Sequence, residues 1–406
     1  MKADLQEIQF EVQQQGMLVD ALRRQIYAGT MLLEASELWE MLQQAELRLA
    51  DLLEKQRELE SYANKGVILN TRRDAPTTMG PDTTGLDISV RLRMERIPTG
   101  IVHLLDTSQN PLVSYEIENV SSQTKRLRLT SYIEGYSASA VSTVEIARRD
   151  KVQVVQLPTF FPDRIRQITE LTRATLHVQV DDLDGAQELH KTEPIWLLAR
   201  DSAYLSVQDP ATGDFVDLTR YLAAWVTPHT EEVMEILRVA ADHHPEFMLA
   251  GYQGDEKFVE NQVRAIYDAL QARKITYINS IICFGQGQGE YMQRIRLPGE
   301  SLKTRSANCI DGTVLFASLL EAASINPGLV LVPGHAFLAW QTQRGGQWDY
   351  LETTMVSTFG FDDAQSTGRN LAKRYQAMSN LSKSVSFFRL LPLAEMRSIY
   401  GITPLE

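Results

Sequence analysis

Cysteine is scarce in this chain of 406 residues: Cys283 and Cys309 are the only two. Two thiols cannot make the disulfide framework of a small secreted scaffold, and no signal peptide opens the chain, so a reducing cytoplasm is the expected compartment. No run of 18 consecutive apolar residues occurs, which excludes a membrane-spanning helix. Basic residues are in deficit: 40 Lys and Arg against 52 Asp and Glu leave a formal charge of −12. That balance argues against general nucleic-acid binding. The seven histidines are spread out, so no metal-ligand spacing arises, and no metal or cofactor is expected. His243-His244 reads as a surface pair. Phe284–Gly289 is glycine-rich but lacks the lysine and the strand–turn–helix frame of a phosphate loop.

Proline is missing from residues 1–62. Leu5, Ile8, Val12, Gln15, Val19, Leu22 and Ile26 step by threes and fours, as do Ala35, Leu38, Leu42, Ala45, Leu49, Leu52, Gln56 and Leu59. Each series is a narrow heptad seam. The two fall out of register near Gly29-Thr30, so either the helix turns back there or one long helix carries a stammer; a C-cap followed by an N-cap favours the first, a coiled-coil helical hairpin over residues 1–65. Such a thin pair either packs on the chain's own body or mediates a homo-oligomer or the capture of a partner protein through residues 1–62. Residues 66–86 combine turn formers with no apolar period and read as a linker.

From 87 to 205 the period switches to two. Ile88–Met94, Gly100–Leu105, Val113–Asn119, Lys125–Ile133, Val152–Pro158 and Ala174–Val180 read as short strands, with a brief helix within Asp163–Thr172. The spacing predicts an antiparallel sandwich of immunoglobulin-like type, without the cysteine pair of antibody domains. Arg91, Arg93, Arg126 and Arg128 alternate with apolar residues and are expected on a solvated face. Residues 206–406 mix helices, at Thr230–Ala241 and Phe258–Ala272, with a strand at Ile275–Cys283. The expected fold class is thus α+β and multidomain.

Chemistry concentrates late in the chain. Cys309 directly precedes a long apolar helical run, where exposed N–H groups and the helix dipole favour a thiolate. His335 stands between the strand-like runs Gly328–Val332 and Ala336–Trp340. Glu352 closes a third such run. A thiol at a helix start, with a base and an acid on neighbouring strands, is the papain-like arrangement of nucleophile, base and orienter. Asp349 is the rival acid. Asp349 and Glu352 are separated by an odd number of residues, so on a strand they point to opposite faces. Asp311 is expected to cap or brace the Cys309 helix. An oxyanion also needs donors. The Cys309 N–H is one candidate, and Gln293, Asn279 or Tyr277 supplies another.

At these residues the sequence resembles the transglutaminase-like cysteine protease superfamily: Ala307-Asn308-Cys309-Ile310-Asp311 before a helix, Gly334-His335-Ala336-Phe337 on a strand, then Trp348 and Glu352-Thr353-Thr354. It is similar in particular to the transglutaminase-like module of large bacterial superfamily-1 helicases. Thr276-Tyr277-Ile278-Asn279, the Gln293–Pro298 stretch and the Gly401–Leu405 tail carry that likeness. The resemblance implies a catalytic triad of Cys309, His335 and Glu352 in a transglutaminase-like α+β domain over 206–406, although the superfamily commonly has aspartate where Glu352 stands. It favours Gln293 as oxyanion donor. A protein or peptide substrate is implied, with hydrolysis as the default and transamidation as the variant. The helicase-linked modules belong to bacterial systems suspected of antiviral defence, so an effector or processing protease is implied. The alternative is a non-catalytic adaptor whose cleft binds a peptide, with the coiled coil docking a partner.

Overall fold

The computed structural model describes residues 85–405 apart from 109, 186–187, 209–214, 279–289 and 382–386, and before these residues 12, 15, 16, 19, 42–49, 51–53 and 55. The described part is mixed α and β, with two large hydrophobic cores.

The first core lies among eight strands: β1 (Leu86–Leu92), β2 (Arg96–Ile97), β3 (Val113–Asn119), β4 (Lys125–Ile133), β5 (Ala140–Ile146), β6 (Lys151–Gln156), β7 (Thr172–Asp182) and β8 (Glu188–Leu197). They form two sheets, ordered β1-β3-β6 and β2-β8-β7-β4-β5. Every ladder is antiparallel except β2 with β8. Alternation decides which side chains go inward: Leu127 and Leu129 are buried while Arg126 and Arg128 between and beside them are exposed. Those arginines pair with Asp184 and Asp181. Both sheets feed one core, through Ile88, Tyr115 and Ile117 from the first and Leu129, Leu176 and Ile195 from the second. Gln156 ties the sheets by polar bonds, its amide donating to Leu129 O at 3.0 Å.

One expected strand is not a strand. Thr99–Leu104 forms a helical turn. Pro98 precedes it, Thr99 Oγ1 donates to Leu198 O at 2.7 Å, and Gly100 comes so close to the body that a Cβ would lie 2.6 Å from Arg200 O. These contacts outweigh the β-propensity of Ile101 and Val102. The brief helix is also shorter than expected, Pro162–Ile165, and β7 begins at Thr172.

Nine further strands follow: β9 (Ser202–Gln208), β10 (Phe215–Asp217), β11 (Thr276–Tyr277), β12 (Glu290–Arg294), β13 (Ser306–Ala307), β14 (Pro327–Val332), β15 (His335–Gln341), β16 (Trp348–Leu351) and β17 (Arg389–Pro392). They make sheets ordered β10-β9-β12, β11-β13 and β16-β15-β14-β17. The expected boundary at 205/206 falls inside β9, which pairs with β12 and buries Ala203 in the second core. That core also takes one face each of the helices Glu231–His243 and Glu256–Ala272 and nearly all sides of Cys309–Ala322. His244 is not on the surface. It is buried against Phe258, edge to face at 5.0 Å, with Nδ1 accepting from the Glu246 N–H.

In the first 62 residues, the described positions are helical. Val12 and Val19 join Leu42, Ala45, Leu49 and Leu53 in one small core, and the Gln15 amide donates to Ala45 O at 2.9 Å. Leu52 is buried as well; the other seam residues, the turn at Gly29-Thr30, most of the linker, Cys283 and the Phe284–Gly289 segment lie outside the described residues.

Candidate active site

Three elements carry the predicted cysteine, histidine and acid. Cys309 is the first residue of the Cys309–Ala322 helix, partly exposed, with Asn308 as N-cap. The cap is reciprocal: Asn308 Oδ1 accepts from the Asp311 N–H at 2.8 Å, and Asp311 Oδ2 accepts from the Asn308 N–H at 3.1 Å. This is a capping box, legible in the Asn-x-x-Asp spacing. Asp311 does more than cap. Its Oδ1 accepts from the Arg296 N–H at 2.8 Å, and its Oδ2 lies 3.2 Å from the Arg296 guanidinium. Burial pushes the Asp311 carboxyl up, while those N–H donors and the guanidinium pull it down only in part.

His335 is the first residue of β15, after the turn in which Gly334 takes a positive φ of 68°. Glu352 directly follows β16, beside β15 in the sheet. His335 Nε2 and Glu352 Oε2 are 2.7 Å apart, with the histidine 8% exposed and the glutamate 0%. The other carboxylate oxygen, Oε1, accepts from the Thr354 hydroxyl at 2.6 Å and from its N–H at 3.1 Å. Burial raises the Glu352 pKa, but the charge and hydrogen bond of His335 and the two Thr354 donors outweigh it, holding the carboxyl below its ordinary range. Phe337 stacks on the imidazole with centroids 6.2 Å apart.

The first turn of the cysteine's helix packs on the turn that follows Glu352. Gly312 faces the turn Thr353–Met355, and a Cβ there would sit 3.0 Å from Thr353 Oγ1. The helix also packs along β15. Upstream, β11 runs parallel to β13, and the Ile278 N–H donates to Ala307 O at 3.0 Å, two residues before Cys309. Tyr277 and Asn308 line a small cavity there together with Gly312 and Thr353.

The other sequence-predicted residues fall elsewhere. Asp349 serves a different partner: Arg369 donates to its two oxygens at 2.7 and 2.6 Å, and Gln365 at 3.0 Å. Gln293 pairs with Ala203 between β12 and β9, and its strand reaches the cysteine's helix three residues later, through Arg296. Asn279 lies outside the described residues. Sequence reasoning missed Arg296 as a brace of the cysteine's first turn, and no local pattern announces a contact fifteen residues away. Among the described residues, no group of three His, Cys, Asp or Glu is placed to hold a metal, and no helix is long and apolar enough to cross a membrane.

No family model and no curated protein matches this chain. Among solved structures, it is similar to the part of native alpha-2-macroglobulin from Escherichia coli that runs from domain MG7 to the C-terminus. The identity is 12% over 47% of this chain, with a TM-score of 0.20. The match spans 34% of that structure's length, and a likeness of this size carries no argument about fold or chemistry.

Proposed function

We propose that the chain is a transglutaminase-like cysteine peptidase or amidase that cleaves an amide bond of a protein substrate through an acyl-enzyme. The observation that carries this reading is the buried 2.7 Å hydrogen bond between His335 and Glu352, set beside the helix that Cys309 heads. An ionised Glu352 accepts from Nε2–H, which leaves Nδ1 as the nitrogen that takes the thiol proton. The sulfur then attacks the carbonyl carbon, and the carbonyl π pair moves onto oxygen. Collapse breaks the C–N bond as His335 Nδ1–H protonates the leaving amine. Water, deprotonated by the same nitrogen, cleaves the thioester and restores the thiol. The Cys309 N–H at the helix start is the donor proposed for the oxyanion, with Gln293 or Asn279 as a second.

The finer architecture belongs to the same proposal: an immunoglobulin-like sandwich at 87–205 and a papain-like domain after it, working in the cytoplasm. The N-terminal helices serve as the dock for a partner or a second copy. A role in antiviral defence follows from the helicase-linked resemblance alone.

The rate of Cys309 alkylation by iodoacetamide at neutral pH tests the chemistry. A thiol activated by His335 reacts rapidly, and His335→Ala slows the reaction by about 10²-fold or more. A rate indifferent to His335 would leave a non-catalytic, peptide-binding cleft.

A further inference from the structure

Away from the cysteine, a cavity of about 350 Å³ opens where the two cores meet. The helical turn Thr99–Leu104 straddles that junction, with Ile101 buried in the second core and Val102 packed on the first. The cavity's apolar wall is made by Val102, Leu157, Pro158, Phe160, Ile165 and Leu405. Its polar lining holds two guanidinium groups, Arg166 and Arg200, among neutral threonines and His103, whose Nε2 lies 3.3 Å from Thr403 O. Leu405 is fixed there by its N–H, which donates to Ala224 O at 2.8 Å.

We propose that this cavity binds a small organic anion, its apolar or aromatic body against Phe160 and Leu157 and its phosphate or carboxylate head against Arg166 and Arg200. The inference is independent of the cysteine chemistry. A volume on the order of 300–1,000 Å³ suits a small molecule, and this cavity lies at the lower end, the size of a mononucleotide. Two guanidinium groups at one cavity present paired N–H forks, which match the oxygens of a phosphate or carboxylate. Arg200 is half-buried; burial and then the charge of Arg166 disfavour its protonated form, with Glu300 opposing. Asp163 engages Arg166 at 3.2 Å on the exposed side. An anion between the two arginines lowers their mutual repulsion, and the apolar wall gives it a body to bury.

Calorimetric titration of the full chain with AMP, indole-3-acetate and adenosine tests this. At least one of the two anions binds one-to-one with a Kd below about 1 mM, and the tighter of them identifies a phosphate or a carboxylate head. Neutral adenosine binds at least about tenfold more weakly than that anion, and Arg200→Ala weakens the anion about tenfold or more. Arg166→Glu, at an exposed residue, gives the same loss and serves if Arg200→Ala does not fold. Three results would overturn the proposal: neither anion binding below about 1 mM, adenosine binding as tightly as the anions, or anion affinity unchanged in Arg166→Glu.

Discussion

Glu352 does two jobs with its two oxygens: one orients His335, and the other is held by Thr354. Glu352→Gln keeps the shape but presents an amide that can stabilise the wrong imidazole tautomer, so amide cleavage or Cys309 acylation falls by roughly 10³ to 10⁴. Asp349→Asn disturbs the Arg369 and Gln365 clamp behind β16; its cost is read in stability, and the rate per folded molecule stays near wild type. Acid sensitivity follows from the depressed Glu352 value. A carboxyl whose folded pKa lies below its ordinary value of 4.5 stabilises the fold in full above that value and loses the contribution as pH falls through the folded one. The Tm advantage of wild type over Glu352→Gln therefore shrinks as pH is lowered from about 6 to about 3. A constant gap would show that Glu352 is not ionised in the folded state. Asp349 and Glu352 have separate partners, Arg369 and His335, but Glu352 lies just past β16, where the opposite-face rule for strands no longer applies. Thr354, two residues from Glu352, supplies donors whose aim depends on the turn that follows β16, which no spacing rule describes.

At the scale of elements, the helix Phe361–Leu381 is the support behind the acid. The Glu352 N–H donates to Ala364 O at 3.0 Å, Arg369 holds Asp349, and Gly368 lies against β16 so closely that a Cβ would sit 2.6 Å from Leu351 N. In an exposed helix Gly→Ala adds stability; here the sign reverses, and Gly368→Ala costs about 1–3 kcal/mol in urea unfolding. The cap at Cys309 is a second lever. Asn308→Ala costs about 1 kcal/mol, and Asp311→Ala costs more, because it also leaves Arg296 without its buried carboxylate. Strands with clean alternation, such as β4 and β7, were legible because one face is buried and the other wet. Thr99–Leu104 was not, since its conformation answers to Arg200 and Leu198, a hundred residues on.

On the scale of the molecule, a nearly buried ion pair links the described N-terminal residues to the rest, Arg374 Nη2 to Glu46 Oε2 at 2.5 Å. Glu46 looks like any surface acid in the heptad pattern, so its burial could not be read from sequence. Glu46→Ala strands a mostly buried guanidinium and costs on the order of 3 kcal/mol. A double-mutant cycle with Arg374→Ala isolates the coupling, expected at about 1–3 kcal/mol; additive losses would show that the helices are held by other contacts. Since Arg374 lies in the same helix that supports Glu352, the N-terminal helices and the acid share one structural element.

The central claim is that His335 activates Cys309. Its most direct test is intact-mass analysis after treatment with an electrophilic peptide-like cysteine probe, comparing wild type, His335→Ala and Cys309→Ala. A single adduct is expected in wild type, none in Cys309→Ala, and labelling slowed by about 10²-fold or more in His335→Ala. Labelling of Cys283 and Cys309 alike, at a rate indifferent to His335, would contradict it.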